Sequence, residues 1–269
     1  MTHFTKAILL VSFGTNIHTA RKAAFDQLKD DLQKDFPDHS VYCAWTSERI
    51  IQQVLKQDRI HIMTIAEAMK QMYTDGIREL LVQPTFILNG LENERMLSEI
   101  AACAYHFENI RIGSPLLDSF HDYAAVISAL KQEYAALPAN EVLIFMKHGT
   151  AKSVKSINST DFHLALQKYW NTNVFAGAMK DADFIHFMKM QLSMKKQSSL
   201  RIHLIPFLFT AGRHAVWDMA GDHENSWKNI FQREGYEVIC HMKGLGEYPS
   251  IRRIFVEHAH AAVRIKQSR

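Results

Sequence analysis

Two of the fifteen histidines in the sequence come after apolar, strand-like runs. His148 follows the run 141–146, and His214 follows the run 201–206, within the segment 211–215. Parallel strands place such positions at the carboxyl edge of a sheet, where ligands bind. A neutral imidazole there can bind a divalent metal ion or accept a proton. A histidine that only caps a turn gives the same pattern, so the residues alone leave both interpretations open.

Ser12-Phe-Gly-Thr15 is another turn between an apolar run and a helical pattern. Backbone N–H groups at Ser12, Gly14 and Thr15 could bind an anion at the start of that helix. The segment has neither the GxGxxG pattern nor the P-loop pattern, so we predict no bound nucleotide. We prefer the simpler interpretation, which is a tight turn. Asp183 and His186, three residues apart on a predicted helix, form a metal-ligand pair of low specificity.

Length and charge exclude several classes of protein. With 269 residues and a hydrophobic fraction of 47%, the chain can bury a core as one large domain or two ordinary ones. The net charge is only +3 and no dense run of Lys and Arg is present, so we predict no nucleic-acid partner. The apolar run near the N-terminus is too short to span a bilayer, so we predict no membrane partner.

The cysteines indicate a reducing compartment. Cys43, Cys103 and Cys240 are far apart and form no CxxC pair. An odd number of scattered cysteines is typical of reduced, packed thiols. The N-terminus also lacks the pattern of a secretory signal. We therefore predict a cytoplasmic protein.

Strand-like runs alternate with amphipathic helical patterns along the whole chain. The predicted strands cover residues 7–12, 41–44, 79–84, 110–114, 141–146, 173–177, 201–206 and 237–241. The predicted helices cover residues 19–36, 47–56, 64–73, 93–105, 123–137, 184–195, 225–234 and 250–265. Thr64 and Glu67 form a possible capping box at the start of one of them. This alternation predicts an α/β fold with parallel sheets and right-handed crossovers.

The two halves of the chain resemble each other. KAILLVSFGT (6–15) matches EVLIFMKHGT (141–150), and ELLVQPTFILNG (79–90) matches RIHLIPFLFTAG (201–212). We therefore predict two similar α/β lobes, residues 1–137 and residues 138–269. A cleft between them would collect the loops at the strand ends.

Several of these segments resemble the sirohydrochlorin cobaltochelatases of the anaerobic cobalamin pathway, which are class II chelatases. The resemblance extends from residue 9 to residue 258, nearly the whole chain. Its most specific part is the pattern AG-x-HA-x-x-DMA-x-D-x-x-x-SWK at 211–228, followed by GLGE-x-P-x-IR at 244–252. Shorter matches are VSFGT (11–15), VQP (82–84), NG (89–90), HDY (121–123) and HGT (148–150).

The resemblance implies a fold, a ligand and a reaction. The fold would be two flavodoxin-like lobes, each a four-stranded parallel sheet flanked by helices, with a cleft that binds a planar, carboxylate-rich tetrapyrrole. The reaction would be insertion of Co²⁺, or of a similar ion such as Fe²⁺ or Ni²⁺, into the ring without a nucleotide. Relatives also form homo-oligomers. The family's metal site has two histidines, which match His148 and His214, and one glutamate.

Four positions depart from the family pattern. The glutamate position is Lys180, and Lys147 and Arg213 precede the two histidines where the family has Gly and Asp. Phe86 occupies a position that is His in the family. A protonated lysine cannot bind a metal ion, and three added positive charges should repel one. Asp181, directly after Lys180, could replace the missing carboxylate ligand.

Two hypotheses follow from the residues and the resemblance. In the first, the protein is a chelatase in which His148, His214 and Asp181 bind the metal and the histidines accept protons. The residues expected to contact the tetrapyrrole in that case are Ser12, Gly14, Thr15, Phe86, Lys147, Lys180 and Arg213. In the second, the protein binds a tetrapyrrole such as haem without inserting metal, and His148 or His214 is an axial ligand.

Overall fold

The computed structural model describes residues 5–138, 141–149, 159–170, 173–195 and 200–265, with side chains from residue 162 onward in the third range. The chain forms two compact units. The first unit contains the described residues up to Ser119 and those from Tyr248 onward, and the second unit contains those between Phe120 and Glu247.

The first unit is built on a sheet with strand order β2-β1-β3-β4-β9. Its parallel strands are β1 (Lys6–Ser12), β2 (Ser40–Trp45), β3 (Glu79–Pro84) and β4 (Asn109–Ile112). The short strand β9 (Val263–Arg264) pairs antiparallel with β4. The predicted four parallel strands are therefore confirmed, and a fifth strand extends their edge.

Six α-helices belong to this unit in the described part of the chain. They are α1 (His18–Arg21), α2 (Gln27–Asp35), α3 (Glu48–Asp58), α4 (Ile65–Thr74), α5 (Leu91–Cys103) and α10 (Pro249–His260), and a 3-10 turn (Ala104–His106) follows α5. A π-helical turn (Lys22–Asp26) joins α1 to α2. Aliphatic side chains from β1 and β3 pack against α4 and α5 in an apolar core. The continuous apolar runs of these two strands predict this burial.

The second unit is built on a sheet of four parallel strands with order β6-β5-β7-β8. The strands are β5 (Val142–Lys147), β6 (Val174–Ala178), β7 (Arg201–Phe207) and β8 (Glu237–Cys240). The helices are α6 (Phe120–Glu133), α7 (Ser159–Tyr169), α8 (Ala182–Met194) and α9 (Trp227–Arg233), with a π-helical turn at Ala215–Met219 and a 3-10 turn at Leu245–Glu247. Helix α7 was not predicted from the sequence.

The path of the chain between the units differs from the predicted division at residue 137. Helix α6 packs on α7 in the second unit, although the sequence prediction placed it in the first lobe. Helix α10 returns to the first unit and packs on α2 and β3. Its Arg252 Nε donates to Asp31 at 2.6 Å. The predicted helix 250–265 ends at His260, because the residues that follow pair with β4 as β9.

Helix α4 begins with the capping box predicted from the sequence. The Thr64 hydroxyl accepts a hydrogen bond from the Glu67 backbone at 3.3 Å, and the Glu67 carboxylate accepts one from the Thr64 backbone at 2.8 Å. Each side chain thus satisfies an N–H group that the helix leaves without a partner. No helix within the described ranges is long and apolar enough to cross a membrane.

We predict that Thr64→Ala lowers the free energy of unfolding by about 1 kcal/mol, because the helix loses the acceptor of its capping box. Thr74→Ala is the matched control, since Thr74 lies at the other end of α4 and its hydroxyl only donates to the Lys70 carbonyl. Urea unfolding measures both variants. Equal losses in the two variants would contradict a specific role of the cap.

Candidate metal and tetrapyrrole site

The structure brings His148 and His214 together in the second unit. Strands β5 and β7 are parallel neighbours, with Lys147 opposite Phe207, so both strands end at the same edge of the sheet. His148 directly follows β5, and His214 lies in the loop after β7. The two imidazole rings are 5.1 Å apart between centroids and meet at an interplanar angle of 74°. We call these two residues the histidine pair.

Hydrogen bonds set which ring nitrogen of each histidine has a lone pair to donate. The Nδ1 of His148 lies 3.0 Å from the Gly149 carbonyl oxygen, and the Nδ1 of His214 lies 2.7 Å from the Asp218 carboxylate. Both partners are acceptors, so in each neutral imidazole Nδ1 bears the proton. The lone pair is therefore on Nε2 in both residues, and this is the nitrogen that can bind a metal ion.

Asp218 is a site residue that the sequence analysis did not single out. It lies in the π-helical turn Ala215–Met219, which starts directly after His214. The carboxylate of Asp218 orients the imidazole and makes it a better electron donor, as outer-shell carboxylates do in metal sites. The available signal was the four-residue spacing from His214, which places two side chains on one face of a helical turn.

The separation within the pair fits two ligands of one ion. An imidazole nitrogen binds a divalent first-row ion at about 2.1 Å, and the ring centre lies roughly 1.1 Å further away. Two rings on one ion, at a ligand angle of about 90–110°, have centroids about 4.5–5.3 Å apart. The observed 5.1 Å falls within this interval.

Asp181 does not join the pair in this structure. Among the described residues, no group of three or more His, Cys, Asp or Glu side chains is arranged to hold a metal ion. Asp181 instead forms the N-cap of α8, where its Oδ1 accepts a hydrogen bond from the Phe184 backbone at 3.0 Å. The carboxylate predicted as the third ligand is thus used to satisfy the start of a helix.

Lys147, at the end of β5, is buried with 9% of its surface exposed. Burial lowers the pKa of its ammonium group to about 8, and the negative charge of nearby Asp181 acts against this shift. Burial, and secondarily the charge of Lys147, lowers the pKa of His163. Lys147 therefore loses its positive charge at a lower pH than an ordinary lysine, because desolvation penalises the charged form.

The other two added cations, Lys180 and Arg213, lie at the surface of the second unit. The residues of the first unit that were predicted to contact the tetrapyrrole are less accessible. Phe86 packs in the apolar core of that unit. The Ser12 hydroxyl is buried and accepts a hydrogen bond from Thr85 at 2.7 Å, which ties the end of β1 to the loop after β3.

The turn after β1 has a structural explanation. Gly14 has a φ of 99°, and a Cβ atom there would lie 2.5 Å from the Trp45 ring, so only glycine fits. The buried Thr15 hydroxyl accepts a hydrogen bond from the Ile17 backbone at 3.3 Å. These contacts support the tight-turn interpretation, and contact of this turn with a tetrapyrrole stays a prediction.

The fold is similar to that of solved structures of other proteins. SirB from Bacillus subtilis with Fe³⁺ superimposes with a TM-score of 0.64 at 16% sequence identity, covering 95% of this chain and 94% of that chain. CbiX, described as the terminal enzyme for biosynthesis of sirohaem in denitrifying bacteria, superimposes with a TM-score of 0.57 at 16% identity, covering 96% and 99%. At these identities the similarity shows the fold alone.

Sequence comparison then identifies the family. The cobalt chelatase (CbiK) family model matches residues 6–264. A sirohydrochlorin cobaltochelatase of Salmonella typhimurium is 31% identical over 260 residues, which cover 97% of each chain. Sirohydrochlorin cobaltochelatase CbiKC of Nitratidesulfovibrio vulgaris is 28% identical over 265 residues, covering 96% of this chain and 90% of that relative. The chain belongs to the cobalt chelatase family.

We predict that Lys147→Met stabilises the fold near neutral pH by about 1–3 kcal/mol, because a buried charge is removed. The unfolded chain keeps the lysine proton to a higher pH than the folded chain. The free energy of unfolding of the wild type therefore rises between about pH 8 and about pH 10.4, the ordinary pKa of lysine. The difference in this free energy between Lys147→Met and the wild type shrinks over the same pH range.

Urea unfolding near neutral pH and at about pH 10 tests this prediction. Lys180→Met is the matched control, since Lys180 is exposed and its removal should change the free energy of unfolding little. A Lys147→Met variant that is destabilised equally at both pH values would contradict the prediction.

We predict that Asp218→Ala weakens binding of Co²⁺ to the histidine pair by about 10- to 100-fold, because His214 loses its orienting carboxylate. Visible absorbance of Co²⁺ titrated into the ring-free protein measures the affinity. Asp222→Ala is the control in the same segment, since that side chain is 99% exposed and pairs with Lys228. Unchanged affinity in Asp218→Ala would show that the carboxylate plays no part in metal binding.

Proposed function

We propose that this protein is a chelatase that inserts Co²⁺ into sirohydrochlorin, as the names of its relatives describe. The observation that supports this most directly is the histidine pair, whose rings have the separation of two ligands on one ion. Imidazole nitrogen is a good donor for Co²⁺, Fe²⁺ and Ni²⁺, so the pair itself does not select one of them. Membership of the cobalt chelatase family favours Co²⁺.

The pair has two tasks in the proposed reaction. First, the Nε2 atoms of His148 and His214 hold the incoming ion, which keeps its other coordination positions for solvent and then for ring nitrogens. Second, two pyrrole N–H protons must leave the ring as the ion enters, and each of the two imidazoles can accept one of them once it is released from the metal. Asp218 supports both tasks, because its carboxylate stabilises a protonated His214 as well as orienting the neutral ring.

We propose that Lys180 and Arg213 bind peripheral carboxylates of the ring. Both are exposed in the second unit, and Arg213 directly precedes His214. Arg pairs with carboxylate through two parallel hydrogen bonds, which gives geometry as well as charge. Such pairing would also neutralise the cations that otherwise repel the ion, so ring binding favours metal binding at the same site.

We also propose that the reaction takes place in the cytoplasm. Cys43, Cys103 and Cys240 are free thiols, and burial raises the pKa of each, which makes them poor nucleophiles. Such thiols fit a reducing compartment. Assembly into a homo-oligomer stays a prediction from the family resemblance.

The test is a spectroscopic titration of the purified protein with sirohydrochlorin, with and without Co²⁺. We predict fast conversion to the absorption spectrum of the cobalt complex, and a loss of at least about 100-fold in rate for His148→Ala, because one of two metal ligands is removed. The control is His186→Ala, which removes an exposed histidine from α8 in the same unit. Fe²⁺ and Ni²⁺ in parallel reactions measure the metal preference.

The possible outcomes separate the functions considered. Acceleration by the wild type and the His186 variant, but not by His148→Ala, supports the chelatase. Ring binding without insertion of any of the three ions, with a Soret shift on addition of haem, would replace the chelatase by a tetrapyrrole carrier. Absence of ring binding would overturn both.

A further inference from the structure

Trp217 stands out among the tryptophans of the chain by its exposure. It is 55% exposed, whereas Trp45 is 4% and Trp227 is 1% exposed. Phe120 and Tyr105 are even more exposed, so exposure alone does not single out Trp217. What distinguishes Trp217 is the segment in which it lies. The adjacent Val216 is also exposed, at 45%, but it is aliphatic and offers no aromatic face.

Trp217 lies close to the histidine pair along the chain. It belongs to the π-helical turn Ala215–Met219, which directly follows His214. Its neighbour Asp218 is the residue that holds the His214 imidazole. The turn that orients the proposed metal ligand therefore also positions the exposed indole.

The indole is fixed in place on one side. Its ring stacks on the His223 imidazole, with centroids 4.9 Å apart and an interplanar angle of 26°. The Nε2 of His223 donates to the Trp217 carbonyl oxygen at 2.9 Å, and the Gly221 backbone donates to the same oxygen at 3.2 Å.

Gly221 is needed for this arrangement, because a Cβ atom there would lie 2.3 Å from the Trp217 carbonyl oxygen. The segment 221–223 therefore folds back against the turn and covers one face of the indole. Other exposed apolar side chains of the unit, such as Leu164 on α7 and Met194 on α8, lie on regular helices and not in the turn that orients His214.

We infer that Trp217 is the stacking platform for the tetrapyrrole macrocycle beside the histidine pair. The inference rests on the proposed function. A planar macrocycle presents a broad apolar face with polar groups at its edge, and an indole held by His223 offers a matching flat surface. Because the ring of Trp217 is already ordered, stacking loses little conformational entropy. Lys180 and Arg213 would then bind the edge of the macrocycle while Trp217 contacts its face.

The experiment is a titration with metal-free sirohydrochlorin, followed by steady-state insertion of Co²⁺. In Trp217→Ala we expect the Kd of the ring to rise about 10-fold or more, which is the typical effect of removing one aromatic stacking partner. The KM for the ring rises in parallel while kcat stays within about twofold, because the lost contact is made equally before and during the reaction. Trp217→Phe should recover most of the affinity.

Further measurements separate stacking from a structural role. Val216→Ala is the matched control, and its ring affinity should stay that of the wild type. Binding of Co²⁺ to the ring-free protein should be the same in Trp217→Ala as in the wild type. Ring binding should also quench tryptophan emission less in Trp217→Phe than in the wild type, because the exposed indole is gone.

Several results would overturn the inference. An unchanged Kd and KM in Trp217→Ala, or a Trp217→Phe variant as weak as Trp217→Ala, would exclude an aromatic platform at this position while leaving the chelatase intact. Weakened Co²⁺ binding in Trp217→Ala would assign the residue to the support of His214 instead. Failure of the wild-type protein to bind the ring would remove the proposed function, and the platform with it.

Discussion

The parallel pairing of β5 with β7 is the constraint on which the candidate site depends. Because the two strands run in the same direction and in register, both end at one edge of the sheet, and the residues that follow them are brought together. His148 needs no further element, since it directly follows its strand. His214 needs the π-helical turn, whose Asp218 fixes the imidazole and whose Trp217 faces solvent. One edge of the sheet thus brings the histidine pair together, and the turn after His214 carries both the orienting carboxylate and an exposed indole.

The part of the site that depends on strand ends could be predicted from the sequence. Short apolar runs followed by Gly-containing turns indicate buried parallel strands, and the two histidines were located by that pattern alone. The capping box at Thr64 also depends only on residues close together in the sequence, and it is confirmed. The features that could not be predicted depend on contacts between elements that are far apart in the sequence. The amphipathic pattern of α10 shows that one face is buried, but not that it packs on α2 and β3.

The same reasoning explains the side chains that were placed differently from expectation. Asp181 and Lys180 are adjacent in sequence, but only Asp181 precedes the helix at the distance where a carboxylate caps it. Phe86 lies in a loop, and its burial follows from the β1–β3 core beneath it rather than from any local signal. Lys147 is buried near groups that are distant from it in sequence, Asp181 and His163, and its burial lowers the pKa of the ammonium group to about 8.

The missing carboxylate ligand is compatible with the proposed reaction for a physical reason. A chelatase must give its ion away, and two imidazoles form fewer bonds to the ion than the four nitrogens of a tetrapyrrole. Imidazole binds a metal ion through a neutral nitrogen, so an ion held by the pair would keep its full double positive charge. That charge is the largest in the site, and it favours loss of the pyrrole protons as the ring approaches. A glutamate would bind the ion more tightly but would neutralise half of this charge. In the proposed site, the ring itself would supply the carboxylates that attract the ion. The protein would contribute Lys180 and Arg213, the indole of Trp217 and the two imidazole nitrogens.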